Sequence, residues 1–255
     1  MMIDNYNDLT IGKYLEIKEV IDAGYDEAET NINLIAVLAD INVDEVANMN
    51  IIEFKKYNEK LEFLLDLPKK RAVATKYNLG GLELETMLAV DEMTVAQYID
   101  YQTYLKDSDK YLVELLSVFL IPKKKTYCEG YDIIKVQKAI RENLSIVDAL
   151  SLSAFFFAMV SSFNKSYGNL FNQEDEEDDE EGEGHGEEDG SSESNSGFGA
   201  KWAWISMVDR VSECTRETWG NVFKMHVREF FNINCYIIDK YQFEKQQMEK
   251  WQSKH

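Results

Sequence analysis

An acidic segment near position 180 constrains this chain more than any other feature. Residues 174–193 contain 13 acidic side chains and neither Lys nor Arg. Residues 174–181 are acidic without interruption, and Gly, Glu and Ser follow them. Such a segment has too little apolar surface to offset the entropy lost on ordering, and its like charges repel one another. The sequence therefore predicts a disordered acidic Gly/Ser linker over residues 172–199, with an ordered part on each side.

The composition of the two flanking parts favours helices. Hydrophobic residues make up 45% of the 255 residues, and the only two prolines are Pro68 and Pro122. Few prolines and many strong helix formers are typical of long helices. We therefore predict a mainly α protein with a helical N-terminal domain at residues 1–171 and a small helical C-terminal domain at residues 200–255.

One stretch of the N-terminal domain has the pattern of a β-hairpin. Apolar and polar residues alternate from Val73 to Leu79, and again from Leu82 to Thr86, on either side of Gly80-Gly81. Two glycines between alternating segments favour a tight turn, because each glycine readily adopts a positive φ. We expect a hairpin near residues 73–87.

Helix starts are readable at three polar residues. Thr10 and Ser145 each precede an apolar helical pattern, and Asn50 followed by Glu53 resembles a capping box. A fourth helix is predicted by apolar residues at i, i+3, i+4 and i+7, with Pro122 expected to end it. Those residues are Leu112, Leu115, Leu116 and Phe119.

The chain also contains a weak internal repeat. Residues 9–15 resemble residues 93–99, each beginning with an apolar residue followed by Thr. Each copy precedes a Leu-rich short helix and then a capped helix that ends in apolar residues, at 63–65 and at 155–157. We interpret the two copies as related helical subdomains that flank the hairpin; chance similarity between amphipathic helices is the alternative.

The C-terminal domain is rich in aromatic residues. A domain of about 56 residues is marginal for a core of its own, so its helices are expected to pack on the first part or on a partner. Aromatic residues often anchor protein interfaces, although packing in a core is the alternative for most of them. The candidate partner interface comprises Trp202, Trp204, Trp219, Phe223, Phe230, Phe231 and Trp251.

The sequence predicts no enzyme, no cofactor and no metal site. The motifs of serine hydrolases, nucleotide-binding loops and zinc peptidases do not occur. The histidines are His185, His226 and His255, none with a placed carboxylate or thiol partner. The cysteines, Cys128, Cys214 and Cys235, lack metal-ligand spacing and are expected to be reduced thiols.

Charge and hydropathy exclude several classes of partner. The net charge is −20, and a chain of this charge is repelled by nucleic acid and by anionic lipid. The N-terminal residues lack the pattern of a signal peptide, and we expect no membrane span and no small-molecule ligand. The acidic linker is either a solvated spacer or an arm that docks on basic residues at 69–71 or 123–125.

The first two thirds of the chain resemble the N-terminal domain of tail assembly chaperones from tailed phages of gut bacteria. The resemblance rests on residues 9–14, the hairpin at 77–81, residues 93–100 and residues 142–149 before the phenylalanine run. Such chaperones occur in a short form and a longer frameshifted form, and residues 202–255 resemble the added second domain.

The resemblance implies a function in virion morphogenesis in the host cytoplasm. It implies that the protein coats the tape-measure protein and that its C-terminal part recruits tail-tube subunits; self-oligomers are the other expected partner. Two alternatives remain. The first is a structural virion protein, such as a portal-adjacent ring or connector component. The second is an enzyme or an acidic mimic of nucleic acid.

Overall fold

The computed structural model describes the backbone of residues 2–168 and 195–253, and the side chains of residues 2–168 and 202–253. The chain is 66% helical with one small antiparallel sheet, which confirms the predicted mainly α class. The elements in chain order are α1 Ile11–Asp22, α2 Glu27–Ala39, α3 Val43–Ala47, α4 Ile51–Glu59, a 3-10 helix Lys60–Leu65, β1 Lys76–Leu79, β2 Leu82–Thr86, a 3-10 helix Val90–Glu92, α5 Val95–Leu105, α6 Leu112–Phe119, β3 Leu120–Pro122, α7 Ile133–Asn143, α8 Ile146–Lys165, α9 Asn195–Thr215, α10 Trp219–Lys224 and α11 Val227–Gln252.

The elements form two compact units that do not follow chain order. The first unit comprises Met1–Leu88 and Tyr104–Phe157, and the second comprises Ala89–Thr103 and Ala158–His255. Residues 172–194 of the predicted linker lie outside the described residues, and α9 begins at Asn195, five residues before the predicted start of the C-terminal domain. The division into domains at residues 171 and 200 stays a prediction.

The helix starts follow the capping residues that the sequence indicated. Thr10 accepts a hydrogen bond from the Lys13 amide at the start of α1. Asn50 accepts from the Glu53 amide at 3.0 Å, and its own amide group donates to the Glu53 carboxylate at 3.3 Å. Ser145 accepts from the Asp148 amide at 3.2 Å. Each side chain satisfies a backbone N–H that has no partner within its helix.

The predicted hairpin is present, and a third strand joins it. β1 and β2 pair antiparallel around Gly80 and Gly81, whose φ angles of 58° and 85° are those of a tight hairpin turn. The four residues predicted to face the core in α6 are all buried. After α6 the chain extends as β3 and pairs antiparallel with β2, which the sequence did not indicate because a three-residue strand carries almost no pattern.

The internal repeat corresponds to a backbone junction that occurs once in each unit. In the first unit the Ile11 amide donates to the Leu144 carbonyl at 3.0 Å, and the Ile146 amide donates to the Leu9 carbonyl at 2.8 Å. These bonds join the start of α1 to the start of α8.

The second unit repeats the junction with α5 and α11. The Val95 amide donates to the Met225 carbonyl at 3.0 Å, and the Val227 amide donates to the Met93 carbonyl at 2.9 Å. The repeat at 93–99 therefore pairs with the start of α11. The prediction that the helix ending at 155–157 belongs to the second copy was wrong, because that helix starts at the junction of the first copy.

Candidate interaction surface

A cluster of aromatic rings forms the core of the second unit. The Tyr98 ring of α5 lies edge-on to Trp204 at 5.4 Å and to Phe231 at 5.2 Å between centroids. Phe163 of α8 stacks on Phe231 at 5.5 Å. The Tyr98 hydroxyl donates to Asn164 at 2.8 Å, and burial raises the pKa of that hydroxyl. The C-terminal helices thus complete their core with residues that precede the acidic segment.

The structure fully buries two of the seven predicted interface residues in this core, and a third, Trp204, lies at its side against Tyr98. Phe230 and Phe231 have no exposed area, so they stabilise the fold and offer no surface to a partner. Trp204 and Phe223 are half-buried. Core packing was the alternative for these residues, and it holds for both phenylalanines: Phe231 packs on Tyr98 and Phe163, and Phe230 lies buried beside it.

The other predicted residues retain exposed area. Trp202 and Trp219 are 40% and 44% exposed. The Trp219 indole donates to the Asp209 carboxylate at 3.1 Å, which fixes the ring on the surface. Trp251 is 66% exposed near the end of α11. A role for these three residues in binding a partner stays a prediction.

The second half of α11 is exposed along its whole described length. Buried residues of this helix are confined to its first half, and every residue from Asp239 to Ser253 is exposed. The exposed half nevertheless continues the buried face. Steps of four and three residues lead from the buried Asn234 through Ile238 to Tyr241, Lys245 and Met248. Residues at these steps lie on one side of a helix.

We name Tyr241, Lys245 and Met248 the distal stripe. Tyr241 and Met248 are 63% and 66% exposed, and Trp251 lies at the edge of the stripe. An amphipathic helix whose apolar side continues past its own core is a common feature of helix-in-groove and helix-pair recognition. Apolar residues continue to the end of α11 in the sequence, but the sequence did not show where the core stops.

Charges in the distal half balance one another. Asp239, Glu244 and Glu249 are matched by Lys240, Lys245 and Lys250. Lys240 and Glu244 form an ion pair at 3.9 Å along the helix. Lys245 lies in the distal stripe and Glu249 beside it, and neither has an ion-pair partner within residues 2–168 and 202–253.

A groove of about 520 Å³ lies beside the start of α11. Arg228 crosses it, forms an ion pair with Asp91, and sits 6.0 Å from the centre of the Phe163 ring. The exposed thiol of Cys214 and the exposed His226 also line the groove. Because Arg228 is already paired, its charge is largely neutralised within the unit. His185 and His255 lie outside the described residues.

Metal-ligating side chains do not cluster in the described parts of the chain, where no group of three His, Cys, Asp or Glu could hold an ion. Across the same parts, one helix has the length and hydropathy of a membrane span: α8, with a mean hydropathy of 1.8 over a window of which 50% is buried. Core helices of soluble proteins meet the same criteria, and Phe156 of this helix stacks on Phe119 at 4.0 Å.

Comparison with known proteins gives no match: no family model, no curated protein and no solved structure is similar to this chain.

Proposed function

We propose that this protein is a tail assembly chaperone that binds an extended or helical client polypeptide through the distal half of α11. The observation that carries the proposal is the distal stripe, which continues a core face and leaves the apolar side chains of Tyr241 and Met248 exposed on a helix of 26 residues. Large exposed aromatic and methionine side chains are common at surfaces that bind other polypeptides.

The resemblance of residues 9–14, 77–81, 93–100 and 142–149 to phage tail assembly chaperones suggests the client. On this proposal the client is the tape-measure protein, with tail-tube subunits recruited by the same C-terminal helices. The protein then acts in the host cytoplasm and leaves before the particle is complete. The proposal includes no catalysis, no cofactor, no membrane and no nucleic acid.

Co-purification tests binding. We expect the tape-measure protein to co-purify with the wild-type chain, and the Tyr241→Ser/Met248→Ser variant to retain about one tenth of it or less. Gln242→Ser/Gln246→Ser is the matched control, since both glutamines lie away from the stripe on the same helix. If the two double variants captured equal amounts of the tape-measure protein, the proposed surface would be contradicted.

Mass spectrometry of infected-cell lysate and purified virions tests the chaperone assignment separately. We expect the chain to be abundant in lysate and absent from particles. Several copies per particle would contradict the assignment and support a ring or connector component of the virion.

A further inference from the structure

We propose that the distal half of α11 pairs antiparallel with the same segment of a second copy of this chain. The interface is the distal stripe, and its two-fold axis passes near Gln247. The inference goes beyond the proposed function, because it concerns the purified protein alone and does not depend on the client.

The internal repeat indicates that this segment of the long helix is a packing segment. α8 and α11 start at equivalent junctions, Ser145 and His226. In α8 the side chain of Val160, 15 residues after the junction, is 2% exposed. In α11 the residue 15 positions after the junction is Tyr241, which is 63% exposed. The first copy of the repeat therefore buries this part of its long helix, and the second copy leaves it exposed.

Charge decides in favour of a second copy in antiparallel orientation. Lys245 lies in the stripe, and Glu249 lies four residues further along the helix on one flank of it. In an antiparallel helix pair the same flank of each helix faces that of the other. With the axis near Gln247, Lys245 of each copy lies at the level of Glu249 in the other, which gives two opposite-charge contacts. The aliphatic part of Lys245 then packs on Met248 of the second copy, as long charged side chains often do.

A parallel pair is disfavoured by the charges beside the stripe. In parallel two-stranded packing, flanking residues five positions apart face each other across the interface. That arrangement places Glu244 of each copy against Glu249 of the other, two contacts between like charges. The distal half also has no net charge, so two copies meet there without the repulsion expected between chains of −20.

The area available is that of a weak interface. Aromatic side chains bury roughly 150–250 Å² each when fully covered, and Tyr241, Met248 and Trp251 are each about two thirds exposed. Two copies of the three residues therefore cover several hundred Å², which is in the range of weak, reversible interfaces. We expect a reversible dimer that forms at micromolar concentration or above. On the proposed function, this dimer shields the stripe until a client displaces the second copy.

Charge exchange in the full-length protein, followed by sedimentation equilibrium, tests the pairing. We expect wild type to dimerise and Lys245→Glu to weaken the dimer about tenfold or more, because two glutamates then face Glu249. Glu249→Lys is expected to do the same. The double variant Lys245→Glu/Glu249→Lys is expected to restore dimerisation, since opposite charges again face each other.

Lys250→Glu is the matched control for net charge. Lys250 lies nine residues from Tyr241, half a turn around the helix and away from the stripe, so we expect wild-type dimerisation. A monomeric wild-type protein would overturn the inference, as would open-ended oligomers, since a two-fold pair closes on itself. A double variant as weak as either single variant would also overturn it. None of these results affects the co-purification experiment that tests binding of the tape-measure protein.

Discussion

Single polar residues fix where the long helices begin, and Asp148 does so with an ion pair. Two of the three guanidinium nitrogens of Arg71, Nε and Nη2, donate to the Asp148 carboxylate, with Nε at 2.6 Å from Oδ1, and the Ser145 hydroxyl donates to the same carboxylate at 2.9 Å. The carboxylate lies in the first turn of α8, where the helix dipole favours a negative charge. One side chain thus joins the segment before the hairpin to the start of the central helix.

Asp148→Ala is expected to lower the free energy of unfolding by about 2–3 kcal/mol, because it removes charge-assisted hydrogen bonds from a buried residue. Urea denaturation measures the change. Glu142→Ala is the control, since its ion pair with Lys138 is long and exposed and should contribute less than about 0.5 kcal/mol. Equal effects of the two substitutions would show that Asp148 has no special role.

Buried tyrosines of the second unit make stability depend on alkaline pH. Burial raises the pKa of Tyr101 from 10.0 to about 12. The folded state therefore holds this proton more tightly than the unfolded state. The stability that the protonated Tyr101 hydroxyl contributes is complete below pH 10 and is lost as pH rises towards 12.

At pH 11 ionisation of Tyr101 in the unfolded chain should cost about 1.4 kcal/mol of stability. Tyr101→Phe is expected to remove that part of the alkaline loss, measured by urea denaturation at a series of pH values. Tyr25→Phe, at an exposed tyrosine, is the control. The same alkaline loss in Tyr101→Phe and in wild type would contradict this origin.

Among the elements, the three-stranded sheet shows how local and distant determinants combine. The turn between β1 and β2 depends on Gly80 and Gly81, both at positive φ. The pairing of β2 with β3 depends on residues some 35 positions apart, such as Thr86 and Leu120. The hairpin is therefore a property of its own sequence, and the third strand is a property of the packed unit.

Gly81→Ala is expected to destabilise the protein by about 1–2 kcal/mol. A Cβ added there meets no atom within 4 Å, so the cost is that of a left-handed backbone for an L-residue. Thermal or urea unfolding measures it. Gly220→Ala in α10 serves as the control and should be neutral or stabilising, since that glycine is helical. A neutral Gly81→Ala would mean that the turn has another conformation.

In the whole molecule, each compact unit is built from two separate stretches of the chain. Tyr98 precedes the acidic segment by more than seventy residues, yet its ring packs against Trp204 and Phe231 of the C-terminal helices. A C-terminal fragment beginning at residue 200 lacks Tyr98 and Phe163 and would leave the apolar side of Phe231 exposed. The C-terminal helices are thus part of a larger unit.

Truncation after Ile238 is expected to change the melting temperature by less than about 2 °C, because residues from Asp239 onward are exposed and bury little apolar surface. The same truncation should abolish dimerisation and capture of the tape-measure protein. Truncation after Glu229 is the contrasting variant, since it also removes Phe230 and Phe231 and should unfold the second unit. A large loss of stability after the shorter truncation would show that the distal half docks within the chain.

Local features of this protein were determined by the sequence alone. Thr10, Asn50 and Ser145 start helices because their side chains satisfy amides a few residues away, and Gly80-Gly81 forms a turn because glycine tolerates positive φ. The periodicity of residues 112–119 predicted the buried face of α6. These interactions join residues close in sequence, so pattern and residue type suffice to predict them.

Only the tertiary structure decided which predicted elements share a core. It paired Met93 with Val227, placed Phe230 and Phe231 inside, and left Tyr241 and Met248 of the same helix outside. Along α11 apolar residues recur on the core side past Ile238, at Tyr241 and Met248, so no local signal marks the point where burial ends. Burial depends on which distant helices cover each turn, and that is set by the packing of the whole unit.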